Sequence, residues 1–154
     1  MKKRPTVILV LALVVALDQF TKHLASTRID PMQPIDILPV FSLVNLRNVG
    51  AAFGLFSSIG NTVFIAVTVL AIALIVFIIV KEKEGFIPFS LILAGAVGNL
   101  TDRLSLGYVR DFLDFHIGTH HWPAFNVADS SLTIGMILLI IGAFMPADKK
   151  DNPQ

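Results

Sequence analysis

The chain has 154 residues, 55% of them hydrophobic and 15% charged, with a formal net charge of +1 and a mean hydropathy of +0.77. That length suits one domain; the composition excludes an ordinary soluble protein, and the near-neutral charge gives no basic surface for nucleic acid. No cysteine is present, which removes disulfides, thiolate nucleophiles and Cys-ligated metals.

The first apolar segment spans roughly residues 5–25 and follows Lys2, Lys3 and Arg4. A basic head and apolar middle also describe a secretory signal peptide. Here Asp18 and Lys22 stand where small residues should lead to a cleavage site, so an uncleaved helix is expected. The following stretch, FSLVNLRNVGAAFGLF, begins with the alternation of a short strand and turns through Gly50. A small sheet on the membrane, able to receive an extended peptide along its edge, is the functional expectation, with Asn48 offering polar contacts.

Residues 59–80 carry no charge and make a helix about 33 Å long. The third apolar segment, roughly 86–103, ends on Asn99, Asp102 and Arg103; Ala94, Gly95, Ala96 and Gly98 suit it to close helix packing. An outward loop then leads to the fourth segment, roughly 126–145, which opens on Asn126, Asp129, Ser130 and Ser131. The expectation is an all-α membrane domain covering residues 1–154. It has four transmembrane helices, a small extracytoplasmic β element and an interfacial loop.

Basic residues orient it. Lys2, Lys3 and Arg4, then Lys81 and Lys83, then Lys149 and Lys150 fall on one side of an even number of spans. That side, with both termini, is expected to be cytoplasmic. Asp18, Lys22, Asn99, Asp102, Arg103, Asn126 and Asp129 then meet in the outer leaflet from three different helices. Ionisable groups at such depth usually face a bundle interior or a wet cavity.

Two of these stretches, NLTD at 99–102 and NVAD at 126–129, place an amide and a carboxylate on one helical face. Carboxylates crowded in low dielectric cannot all ionise, so a pair holds an acid and a base together and can activate water against a peptide carbonyl. By spacing alone the pair would be Asp102 and Asp129. Capping offers a plainer account of Asp129, with Asn126 as the cap. Asp18 and Lys22 form a favourable i,i+4 ion pair. His116, His120 and His121 have a spacing that hints at metal, but three ligands in a short loop fall short of a full set. No metal is expected. Ser130 and Ser131 lack a base at a defined spacing and are expected to bond backbone in the first helical turn.

Taken in order, DQFTK, NVGAAF, GNLTDR, VRDF and FNVADS resemble the motifs of the lipoprotein signal peptidases, the signal peptidase II family, across nearly the whole chain. The resemblance implies a membrane aspartyl endopeptidase of the bacterial cytoplasmic (inner) membrane. Such an enzyme removes the signal peptide from diacylglyceryl-modified prolipoproteins, cutting before the lipidated cysteine at the extracytoplasmic face. It implies Asp111 and Asp129 as the catalytic pair, with Asn48, Gly50, Asn99, Asp102, Arg103 and Asn126 in support and Asp18 and Lys22 as a structural motif. No cofactor is implied. Membrane lipid is a partner, nucleic acid is not, and a monomer is expected. Arg110, where the family commonly has an apolar residue, would lower the pKa of its neighbour Asp111. The rival is a small proton-coupled four-helix transporter, which would spread ionisable residues through the membrane depth.

Overall fold

The structure, a computed structural model, describes residues 3–50, 60–81 and 86–144. Ala51 to Phe53 of NVGAAF, the helix boundaries at Ile59 and Met145, and Lys2, Lys83, Lys149 and Lys150 lie outside the described residues.

Four helices are present: α1 (Lys3–Arg28), α2 (Asn61–Lys81), α3 (Phe86–Leu106) and α4 (Val127–Phe144). By length and composition α1, α2 and α4 can each cross a membrane. The C-terminal end of α3 carries the polar groups Asn99, Asp102 and Arg103, which dilute its apolar run. α2 leaves Leu70, Leu74 and Phe77 exposed, as a helix with lipid rather than protein around it does.

α1 and α3 each run about one turn beyond the ends expected from sequence. α3 stops at Gly107, whose φ of 84° suits a residue without a Cβ, and whose N–H donates to the Arg103 carbonyl at 3.2 Å. This is the left-handed helix stop that satisfies an orphan carbonyl.

Close packing of α3 on α4 follows from the small residues noted in sequence. A Cβ on Gly95 would collide with the Ala128 carbonyl oxygen, and one on Gly98 would lie 2.7 Å from Asp18 Oδ2. Ala94 is fully buried between them. These glycines bring α1, α3 and α4 together at the level of the polar residues.

Between the helices lies a four-stranded antiparallel sheet in the order β1-β2-β3-β4. The strands are β1 (Ile35–Leu38), β2 (Phe41–Asn48), β3 (Val109–Ile117) and β4 (His120–His121). The segment expected to be an interfacial loop is therefore largely β3, paired with β2. Arg110, Asp111 and Asp114 interrupt its apolar alternation and hide it from a periodicity reading. A bulge between Leu43 and Leu46 resets the β2–β3 register to Leu46↔Asp111 and Asn48↔Val109. Phe112, Ala25 and Ile29, with Leu43 and Val127 against them, form a small core between α1 and the sheet.

Candidate active site

α4 begins with a reciprocal cap. The Asp129 N–H donates to Asn126 Oδ1 at 2.9 Å, and the Asn126 N–H reaches Asp129 Oδ2 at 3.3 Å, a capping box in Asn-x-x-Asp form. The N–H of Ala128 donates to Asp18 Oδ1 at 2.9 Å, so a carboxylate from α1 satisfies another orphan donor of α4. The capping account of Asp129 is thus correct as geometry, and it aims that carboxylate toward α3.

There Asn99 Nδ2 donates to Asp129 Oδ1 at 2.7 Å. Asn99 Oδ1 accepts from Lys22 Nζ at 2.9 Å and from Asn126 Nδ2 at 3.3 Å. Asn126 Nδ2 also donates to Asp111 Oδ1 at 2.6 Å. Asp111 Oδ2 accepts from Asn48 Nδ2 at 2.8 Å, and Asn48 Oδ1 accepts the Gly50 N–H at 3.1 Å. Asn48 opposes Val109 in the ladder, so it shares a face with Asp111 two residues on. Asp111 and Asp129 therefore converge on one asparagine, each held by a further amide.

Asp102 takes a different environment. Its carboxylate is gripped by Arg110, with Nη2 at 2.6 Å from Oδ1 and Nε at 3.2 Å from Oδ2, while Lys22 Nζ lies 3.5 Å away. Lys22 itself pairs with Asp18 at 2.9 Å, with both side chains wholly buried. Asp102, which spacing alone matched with Asp129, thus already has two cations beside it. Gln19, which sequence reasoning passed over inside DQFTK, joins the layer, donating to Asp102 Oδ1 at 3.1 Å and accepting from Arg110 Nη2 at 2.9 Å.

The expectation that Arg110 would lower the pKa of Asp111 is corrected as well. Arg110 turns to the other side of β3, where the hydrogen bonds it donates to the Asp102 carboxylate raise its own pKa. Asp111 is pushed up to about 6, by burial first and the Asp129 charge second, against the opposing pull of Asn48, Asn126 and Lys22. A buried carboxyl beside a second carboxylate resists ionising.

A cavity of about 640 Å³ opens at Asp129, lined also by Asn48, Gly50, Arg103 and Trp122 to Phe125. Arg103 stacks its guanidinium 4.5 Å above the Phe64 ring, and its Nη1 is buried without a hydrogen-bond partner. Asp111 is buried and bonded to Asn48 of that lining. Ser130 Oγ donates to the Asn126 carbonyl at 2.9 Å, the first-turn backbone bonding expected of it, whereas Ser131 Oγ crosses to α3 and donates to the Leu91 carbonyl at 2.8 Å.

Four carboxylates (Asp18, Asp102, Asp111 and Asp129) face three cations (Lys22, Arg103 and Arg110) in this layer. One negative charge is left over, and a single proton on the Asp111–Asp129 pair removes it.

Residues 10–145 match the family model described as Signal peptidase (SPase) II. A lipoprotein signal peptidase of Thermodesulfovibrio yellowstonii is 42% identical over 128 residues, covering 83% of this chain and 87% of that protein. One from Francisella tularensis subsp. novicida is 41% identical over 145 residues, 89% of this chain and 90% of its own. Among solved structures, a bacterial membrane enzyme determined by the in meso method at 2.3 Å resolution superposes with a TM-score of 0.85. It is 35% identical, covering 97% of this chain and 94% of that one.

Proposed function

The chain belongs to the signal peptidase II family, and on that premise we propose that Asp111 and Asp129 are its catalytic pair. Membership makes it a membrane protease of the aspartic type that removes signal peptides from prolipoproteins. The transporter reading finds no support. Among the described residues the buried ionisable groups gather at one end of the bundle, and α2 carries none before Lys81.

The observation that carries the assignment is the single amide of Asn126, shared between Asp111 and the cap of Asp129. With one proton between them, the protonated carboxyl polarises the scissile carbonyl while the ionised one takes a proton from the attacking water. The tetrahedral gem-diol collapses as a proton passes to the leaving amine. Asn99, Asn126 and Asn48 orient the carboxylates by hydrogen bonds that add no charge. Arg103 and Asn48, both on the cavity wall, are suited to hold the substrate backbone; the unpartnered Nη1 of Arg103 has a donor to spend on a peptide carbonyl. Gly50 leaves room beside them. Asp18, Lys22 and Asp102 fasten α1, α3 and β3 together beneath the pair.

In this reading α3 completes a four-span domain, both termini are cytoplasmic, and the site lies in the outer leaflet of the bacterial inner membrane. A diacylglyceryl-modified cysteine anchored at that interface presents the bond before it without lifting lipid into water. Both carboxylates come from one chain, so a monomer suffices.

The test is incubation of the purified chain with a diacylglyceryl-modified prolipoprotein and with its unmodified form, read by product mass. A product beginning at the lipidated cysteine, from the modified substrate, is expected. Cutting elsewhere would overturn the assignment of the cleavage site, and equal cutting of both forms would overturn the role of the lipidated cysteine.

A further inference from the structure

The β3–β4 hairpin carries a second cluster of functional side chains that the proteolytic site does not use. We propose that Asp114, His116 and His121 form a binding site for a zinc-class divalent cation. The hairpin itself brings them together. Asp114 and His116 are two apart on β3 and project on one face, and His116 stands directly opposite His121 in the register. One ligand atom from each of the three lies within 4.8 Å of the others.

Tetrahedral zinc with bonds of about 2.0–2.2 Å holds its ligand atoms roughly 3.3 Å apart. His121 Nδ1 is 2.8 Å from Asp114 Oδ2 and His116 Nδ1 is 3.9 Å from the same oxygen, one slightly inside that spacing and one slightly outside. The rings of His116 and His121 lie with centroids 4.9 Å apart, and both present Nδ1 toward the same Asp114 oxygen.

An unmet need stands beside the geometry. His116 Nδ1 is buried and has no hydrogen-bond partner, since 3.9 Å to Asp114 is too long for one. Buried polar atoms are seldom left so, and a metal ion supplies what this nitrogen lacks. The side chain of Asp114 is nearly buried while that of His121 is half exposed, which gives an ion a fixed anionic ligand and a way in. Two imidazoles and a carboxylate are borderline donors suited to zinc rather than to magnesium or calcium. The fourth position is left to water.

From the sequence, His116, His120 and His121 have a spacing that only hints at metal, and no metal is expected. The structure replaces His120, which pairs with Ile117 and so projects on the opposite face, with Asp114. No hydrogen bond or ion pair joins the three to Asp111 or Asp129 among the described residues. The ion would therefore brace the hairpin and not enter the proteolytic chemistry. Trp122 to Phe125, which follow β4 directly, form one wall of the cavity, so that wall gains rigidity.

The experiment uses tag-free, chelator-stripped full-length protein in detergent, titrated with zinc chloride by calorimetry and with cobalt(II) by visible absorption. One zinc per chain is expected for wild type and for His120→Ala, with binding at least tenfold weaker in His116→Ala and His121→Ala. His121→Gln keeps a donor for Asp114 but removes the imidazole, so weaker zinc binding by that variant at unchanged thermal midpoint reports on the ion and not on the hairpin. Absence of zinc binding by wild type, or equal loss in His120→Ala, would overturn the proposal.

Discussion

Asn126 donates to Asp111 at 2.6 Å from the same amide whose oxygen caps α4. One residue thus joins the start of a helix to a carboxylate on a strand, and the helix cap and the proposed catalytic geometry cannot be altered separately. Asn126→Ala removes a hydrogen bond to a charged group, worth about 1.5–3 kcal/mol, and a helix cap worth about 1 kcal/mol. Turnover of a lipidated prolipoprotein should fall on the order of 10- to 100-fold, with the thermal midpoint lowered by about 5–15 °C. Kinetics and melting of the purified variant check both.

The raised pKa of Asp111 has a definite sign. Its folded value, about 6, stands above the ordinary 3.8, so the folded state binds this proton more tightly than the unfolded chain does. The resulting stabilisation is complete below pH 3.8 and is lost as pH rises through about 6. Relative to Asp111→Asn, which has no such proton, the wild-type melting temperature should fall as pH is raised across that window. A difference independent of pH would contradict it. The same proton gives kcat/KM of the wild type an alkaline limb beginning near pH 6.

Gly95 and Gly142 both lie on helices but should respond differently to alanine. At Gly95 a Cβ meets the Ala128 carbonyl and Leu132, while at Gly142 nothing stands within 4 Å. Gly95→Ala should cost about 1–3 kcal/mol by forcing α3 from α4, whereas Gly142→Ala should be neutral or slightly stabilising through helix propensity. Thermal unfolding in detergent distinguishes them.

Because the chain has no cysteine, its topology can be read with single introduced thiols. Met32→Cys, at a highly exposed position before β1, should react with a membrane-impermeant thiol reagent applied to spheroplasts. Lys81→Cys, at the end of α2, should react only after permeabilisation. The reverse pattern would invert the proposed orientation.

The helical part of the site was legible because helical geometry is local. Once apolar runs set the spans, the positions of Asp18, Lys22, Asn99, Asp102, Arg103, Asn126 and Asp129 followed from which end of each helix they occupy. What local reading could not supply was β3. Its pairing with β2 joins Asn48 to Asp111 across 63 residues, and three charged residues mask its alternation. The repeated Asn-x-x-Asp spacing does not carry its surroundings with it. At 126–129 it opens a helix and becomes a reciprocal cap, while at 99–102 it sits near a helix end where Asp102 meets Arg110 and Lys22. Equal spacing meant unequal surroundings. The proposed catalytic role of Asp111 came from family resemblance, and the strand explains how its carboxylate reaches Asn126.

The most direct test of the account is cleavage of a diacylglyceryl-modified prolipoprotein by wild type, Asp111→Asn, Asp129→Asn and Asp102→Asn, each purified and shown to be folded. Cleavage by wild type, its loss in both Asp111→Asn and Asp129→Asn, and its partial retention in Asp102→Asn is the predicted result. Cleavage that survives Asp111→Asn and disappears in Asp102→Asn would contradict it and return the catalytic role to the pair of matched spacings.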